Sequence, residues 1–179
     1  MDVIETIGLE TGHKIEIWHD EHSESPRDWD PLDSKFYTWH RRYCSPDKHD
    51  IREPMYTLPA DTIGIKVWMY DHSGHCYAAA DHNPFHCPWD SGQVGWIFIS
   101  RADARKRLGV QRLSQKHVDQ IRDQLKSEVE IYSEYVNGEV YGFTVYDPED
   151  NVVDSCGGFY GSDREYMLKE AQECLTTSI

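Results

Sequence analysis

QVGWIFIS, residues 93–100, is a nearly continuous apolar run rich in β-branched and aromatic side chains. Such a run reads as a strand covered on both faces, and so as the centre of a sheet. The segment that follows, SRADARKRLG, predicts a helix with Ser100 as N-cap and Gly109 as its C-terminal stop. Upstream, TIGIKVWMY (62–70) has the composition of a second strand. DHSG then supplies a turn, and HCYAAA (75–80) returns as the other arm of a hairpin.

Further out, Val118, Ile121, Leu125, Val129, Tyr132 and Val136 fall at spacings of three and four. This predicts one long helix from about Leu113 to Val136, with Ser114 as a cap and Asn137-Gly138 as its end. Residues 2–18 alternate as a hairpin around the turn ETG. KFYTWHRRY (35–43) fits a strand or a short helix, and Pro26 and Pro31 preclude a long helix before it. EVYGFTVYD and NVVDSC pair across DPED, GGFYG is expected to break the chain, and SDREYMLKEAQECL forms a last helix capped by Ser162 or Asp163. Strands without regular βα alternation imply an α+β protein: a single domain over 1–179, with a mostly antiparallel sheet and two or three helices.

The chain has 179 residues, 39% of them hydrophobic, with six tryptophans and eleven tyrosines. That is enough apolar surface for a folded core with aromatics left over for recognition. No apolar run reaches membrane-spanning length, and MDVIETIGLE lacks the basic and apolar regions of a secretory signal. Five cysteines without a CxxC frame fit free thiols and a cytoplasmic setting.

Net charge is −14 and unevenly spread. Residues 1–34 carry two basic and ten acidic side chains, 35–100 six and seven, 101–126 eight and three, and 127–179 two and twelve. Both ends are acidic around one basic segment. Phosphates would be repelled, which argues against nucleic acid as a direct ligand and for a protein partner with a basic nucleic-acid-binding surface. Acidity also serves solubility alone.

Two histidine- and cysteine-rich stretches, YDHSGHC (70–76) and HNPFHCPWDSGQVGW (82–96), raise the question of chemistry. His72, His75, Cys76, His82, His86 and Cys87 are all competent zinc ligands. Yet no cysteines are paired in a short knuckle, and Pro84 interrupts the HxxxH spacing. No cofactor is therefore expected, with zinc as the lesser alternative. Cys87 with nearby histidines and Asp90 contains the groups of a thiol nucleophile, but sequence neighbours seldom build one, and Pro88 removes a backbone donor. The simpler reading is a structured loop in which Phe85 and Trp89 pack, Asp90 and Ser91 hydrogen-bond the turn, and Gly92 and Gly95 relieve crowding. HRRY (40–43) suits either an anion clamp or internal salt bridges. The glycines after Cys156 admit either a close ligand or a tight backbone crossing. The basic stretch RADARKRLGVQR can dock on the chain's own acidic tail or on another copy.

Taken in order, SPRDWDPLD, HRRY, YDHSG, PFHCPWDSGQVG, EVEIYSEYVNGEVYGF and DSCGGFYG resemble a family of small acidic proteins encoded by bacteriophages and other mobile elements. The resemblance runs from Ser25 to Gly161 and rests on Trp29, His40, Arg41, Arg42, Asp71, His72, Gly74, Cys87, Trp89, Asp90, Gly92, Tyr141, Gly142, Asp154, Cys156 and Gly161. His75, His82 and His86 lie outside the motif cores, and Gly157 stands where family members carry a tryptophan. The family has no established activity.

The lopsided charge, the aromatic excess and this resemblance together lead to the expectation of a phage-type inhibitor of a host nucleic-acid-processing defence complex, of the anti-restriction or anti-CRISPR kind, acting in the bacterial cytoplasm. Glu128, Glu130, Glu134, Glu139, Glu149, Asp150 and Asp154 would imitate DNA charge, with Trp29 as an aromatic anchor. The alternatives are a small metal- or cysteine-dependent enzyme with a pocket of His40, Arg41, Arg42, Asp71, His72, Cys87, Asp90 and Cys156, or an accessory or structural phage component.

Overall fold

A computed structural model describes residues 2–29, 32–72 and 74–176, leaving out the side chains of residues 162 and 176. Pro31 and the proposed Ser162 cap thus lie outside the described residues. The chain forms two compact units: Met1–Glu24 with Glu134–Ile179, here the terminal unit, and Ser25–Ser133, the central unit. Three α-helices and eight strands make up the described residues, and the strands form two antiparallel sheets, as an α+β protein requires.

In the central unit the strands are β3 (Ser34–Thr38), β4 (Thr62–Asp71), β5 (His75–Ala79) and β6 (Ser91–Ser100), in the order β3-β6-β4-β5. The apolar run 93–100 is central, as its composition requires: Ile97 and Ile99 are fully buried between Phe36 of β3 and Ile65 and Ile63 of β4. Helix α1 (Arg101–Leu108) follows at once. Ser100 Oγ accepts from Asp103 N, and Gly109 ends the helix in the left-handed conformation at φ 65°. Helix α2 (Gln115–Val136) buries Ile121, Leu125, Val129 and Ser133. Tyr132 meets Phe36 edge-on at 5.3 Å, so the apolar stripe of α2 lies on the sheet face that carries Phe36 and Tyr77.

In the terminal unit β1 (Val3–Gly8), β2 (Lys14–His19), β7 (Val140–Tyr146) and β8 (Val152–Tyr160) run in the order β1-β2-β7-β8. Helix α3 (Arg164–Thr176), entered through a short 3-10 turn, packs Met167 and Ala171 on Ile15, Ile17, Phe143 and Val145. The pairing of β2 with β7 joins the two acidic ends of the sequence in one sheet.

One expectation for the glycines fails. GGFYG does not interrupt the chain, because β8 runs through it to Tyr160. The irregularity is absorbed by an extra residue in β8 between Cys156 and Phe159, opposite Tyr141–Phe143 of β7, with Gly158 at φ 83°. The close approach that these glycines permit is intramolecular. A Cβ at Gly142 would lie 2.3 Å from the Trp18 ring, and one at Gly157 would lie 2.7 Å from Asp20 Oδ2 and 3.1 Å from the same ring. Trp18, held by its Nε1–H to Thr144 Oγ1 at 3.0 Å, covers this face of the sheet.

Gly95 is a steric necessity, since a Cβ there would lie 2.0 Å from the Tyr37 carbonyl across β3 and β6. Gly92 relieves nothing, because no atom lies within 4 Å of its Cβ position. Gly95→Ala is expected to destabilise the protein by about 2–4 kcal/mol, and Gly92→Ala to stay within about 0.5 kcal/mol of wild type, read from denaturant midpoints.

Candidate functional site

One end of the central sheet gathers most of the side chains that chemistry would use. Asp71 closes β4 and pairs in register with His75, the first residue of β5. The Arg42 guanidinium forms an ion pair with Asp71 Oδ2, and the Tyr43 hydroxyl donates to Oδ1 at 3.0 Å. Tyr43 is sandwiched: His40 stacks on it at 5.0 Å and 13°, and His75 at 4.4 Å and 20°. From His75 the ring contacts continue inward through Tyr77 to Phe36 and Tyr132. Burial holds the proton affinity of His40 below the ordinary histidine range; Arg42, Arg41 and His75 act in the same direction, against Asp71. The hydrogen bond to Asp71 raises that of Tyr43.

The loop before β6 is fixed by its own polar groups. Asn83 accepts from Phe85 N at 3.0 Å and donates to Ser91 Oγ at 2.9 Å; Ser91 Oγ in turn donates to the Cys87 carbonyl at 2.5 Å. The Asp90 carbonyl accepts from Asp71 N at 2.8 Å, which ties this loop to the end of β4. Asp90 Oδ2 receives Cys87 Sγ at 3.4 Å and faces His72 Nδ1 at 3.6 Å. The carboxylate therefore stands between thiol and imidazole, whereas a thiol nucleophile needs the imidazole next to sulfur and the carboxylate behind it. Among the described residues no group of three His, Cys, Asp or Glu side chains is placed to hold a metal ion. Phe85 packs on Tyr70 at 5.7 Å beside a cavity of about 400 Å³ lined by Tyr70, Pro84, Phe85, His86 and Cys87. Trp89 corrects the expectation that it packs: it is 92% exposed, held out by the loop.

Of the pocket residues expected from sequence, His40, Arg42, Asp71, His72, Cys87 and Asp90 thus converge, while Arg41 is exposed beside them. Cys156 does not belong to this group, because it sits on β8 in the terminal unit. Tyr43, missing from the expected set, is the hub of the cluster; its place in HRRY was the available signal.

The carboxylates divide just as sharply. Glu128 is withdrawn from any outward role, since Arg27 Nη1 at 2.9 Å and Arg107 Nη1 at 3.0 Å hold it. Glu130, on α2 in the central unit, is exposed. Glu139, Glu149, Asp150 and Asp154 are exposed and Glu134 half-buried, all five in the terminal unit. Asp150 pairs with Lys14 at 2.9 Å, and Asp154 accepts from Cys174 Sγ at 3.0 Å. Trp29, 45% exposed, flanks a cavity of about 500 Å³ in the central unit with Leu32, Asp33, Asp103, Lys106, Arg107 and Glu128. The basic helix α1 spends its charge locally: Arg107 pairs with Asp33 as well as Glu128, and Arg101 lies 4.0 Å from Asp61.

Counted by unit, the asymmetry is complete. The central unit carries 15 acidic and 15 basic residues, and the terminal unit 17 acidic and three basic, so the whole net charge of −14 belongs to the terminal unit. Its three cations, Lys14, Arg164 and Lys169, engage Glu16 and Asp150, Glu5, and Glu173 respectively, and cannot offset the rest. Among the described residues no helix is long and apolar enough to cross a membrane. No protein-family model, curated protein or solved structure matches the chain.

The Cys174 thiol reports the local field. Its hydrogen bond to Asp154 and its burial push its pKa up to about 11, and the same bond lowers that of Asp154. Near pH 8 the thiolate fraction is then on the order of one in a thousand. Asp154→Asn is expected to speed alkylation of Cys174 at pH 8 by about tenfold or more, followed by mass spectrometry, with the other four cysteines unchanged.

Proposed function

We propose that this chain is a binding protein of the phage and mobile-element type that occupies a basic, nucleic-acid-binding surface on a host defence complex. The observation that carries the reading is the segregation of charge: a neutral unit joined to one that holds the entire −14. A uniformly acidic surface would serve solubility; a unit with 17 carboxylates and three cations presents a directed field. Duplex DNA offers one phosphate per roughly 1.7 Å of axis, and a groove built for that density accepts closely spaced carboxylates in its place.

Within the terminal unit, Glu139, Glu149, Asp150 and Asp154 are the exposed members of the expected set, with Glu134 half-buried beside them in sequence. Trp29 is the aromatic anchor of this reading, and Trp89 presents still more ring to solvent on a hydrogen-bonded loop. Steering by charge speeds encounter, and desolvated aromatics supply residence time. No bond-making step is needed.

The test is capture of partners from cells expressing the tagged chain, followed by competition with duplex DNA. A nucleic-acid-processing defence complex should be recovered. Its affinity should fall roughly tenfold or more between about 50 and 300 mM salt, and DNA should displace the protein. Joint replacement of Glu149, Asp150 and Asp154 by the neutral amides should flatten that salt dependence. Recovery of no such complex, or binding indifferent to salt and to DNA, overturns the reading.

A further inference from the structure

The backbone of the edge strands separates one strand from the others. At β3, Asp47 Oδ2 accepts from Phe36 N at 2.7 Å, Ser45 Oγ accepts from Thr38 N at 3.0 Å, and Arg27 donates to the Ser34 carbonyl. At β5, Ser133 Oγ accepts from Tyr77 N at 2.9 Å. At β8, Asp154 takes Ser155 N, Asp20 takes Gly158 N, and bulges break the register. Side chains therefore blunt three of the four edges, as edge protection demands.

Edge strand β1 has no such cover among the described residues. Leu9 N donates to the His13 carbonyl at 2.9 Å, so Leu9 and His13 are a bonded pair. Alternation along the register makes Ile7 and Ile15 the next bonded pair, and Thr6–Glu16 and Gly8–Lys14 the open ones. The N–H and C=O groups of Thr6 and Gly8 then point away from β2. Space beside Gly8 is empty, with no atom within 4 Å of its Cβ position, and Val3 and Ile4 are each 48% exposed.

We infer that β1 is a docking edge that takes an extended, lysine- or arginine-bearing segment of a partner protein as an added antiparallel strand. The inference rests on the binding function proposed above and gives its mode. Charge selects the occupant. The edge belongs to the unit holding the entire −14, so a second copy would bring the same charge to it, whereas a basic strand meets the exposed Asp2 and Glu10 at its two ends, Glu5 and Glu16 being engaged by Arg164 and Lys14. Main-chain bonds would supply affinity, Val3 and Ile4 would cover alternate side chains, and the acidic surroundings would set the sign.

The experiment uses the full isotope-labelled chain and a short alternating lysine-valine peptide, against the same peptide N-methylated at every backbone nitrogen. Both carry equal charge, but only the first can form a strand. At about 50 mM salt the parent peptide should bind and protect the Thr6 and Gly8 amides from exchange, and the N-methylated one should bind at least roughly tenfold more weakly. Thr6→Pro, which removes one outward N–H at an edge where proline is tolerated, should reproduce that loss with an unchanged far-UV spectrum. Equal binding of the two peptides, with Thr6 and Gly8 still unprotected, overturns strand addition while leaving the charge reading intact. Binding of neither peptide counts against both. Pairing of β1 with a second copy at low salt, seen by sedimentation, overturns the choice of occupant.

Discussion

A single guanidinium organises the central unit. Arg27 has only 4% of its side chain exposed. Its Nε and Nη2 donate to the two oxygens of Asp47 at 2.9 and 2.7 Å, Nη1 donates to Glu128 at 2.9 Å, and Nη2 reaches the Ser34 carbonyl at 3.2 Å. Asp47 in turn caps Phe36 N on the edge of β3. One buried cation therefore ties its own loop, the start of β3, the segment after β3 and helix α2. Burial opposes the charge, and the fork of Asp47 together with Glu128 more than offsets it, so the group stays protonated. Arg107 repeats the pattern on the other oxygen of Glu128.

This use of charge explains how the chain is divided. In the central unit Arg27, Arg42, Arg101, Arg107, Arg122 and Lys126 pair with carboxylates of the same unit. The terminal unit is built differently: its core is Ile15, Ile17, Phe143, Val145, Met167 and Ala171, closed by apolar contact alone. Its carboxylates lie outside that core, with only three cations among them.

How far the sequence revealed this depends on the length scale of each signal. Short-range patterns sufficed for the elements: the three- and four-residue spacing from Val118 to Val136, the Ser100 and Gly109 caps, and the apolar run of β6. Charge blocks drawn at 1–34 and 127–179 came close to the unit boundaries but placed Arg27, Asp28, Asp33, Glu128 and Glu130 with the acidic ends. Only long-range pairing, Arg27 with Glu128 across 101 positions, shows that these belong to a balanced network. The site was legible to the same extent. DHSG read as a turn after a strand ending at Tyr70, whereas β4 runs on to Asp71, which pairs with His75. That Tyr43 would enter between His40 and His75, or that Cys156 would sit in a different unit, depends on topology that local pattern does not carry. Trp89 was misjudged because a tryptophan between proline and aspartate reads as core until the loop's own hydrogen bonds are seen to turn it outward.

Three of the four sheet edges, β3 and β5 in the central unit and β8 in the terminal one, carry side-chain cover, and charge bears on how β1 does without it. A neutral unit has no long-range repulsion to keep copies apart, so each exposed N–H of β3 and β5 is a liability, and Asp47, Ser45 and Ser133 cover theirs. A unit bearing −14 repels its own copies over about a Debye length, near 10 Å at 0.1 M salt, which is farther than the 4.8 Å or so between paired strands. Repulsion acts before two edges can touch, and the backbone of β1 can remain uncovered without inviting self-association. The same field that protects this edge against copies of the chain attracts strands of opposite sign, so protection and selectivity share one physical cause.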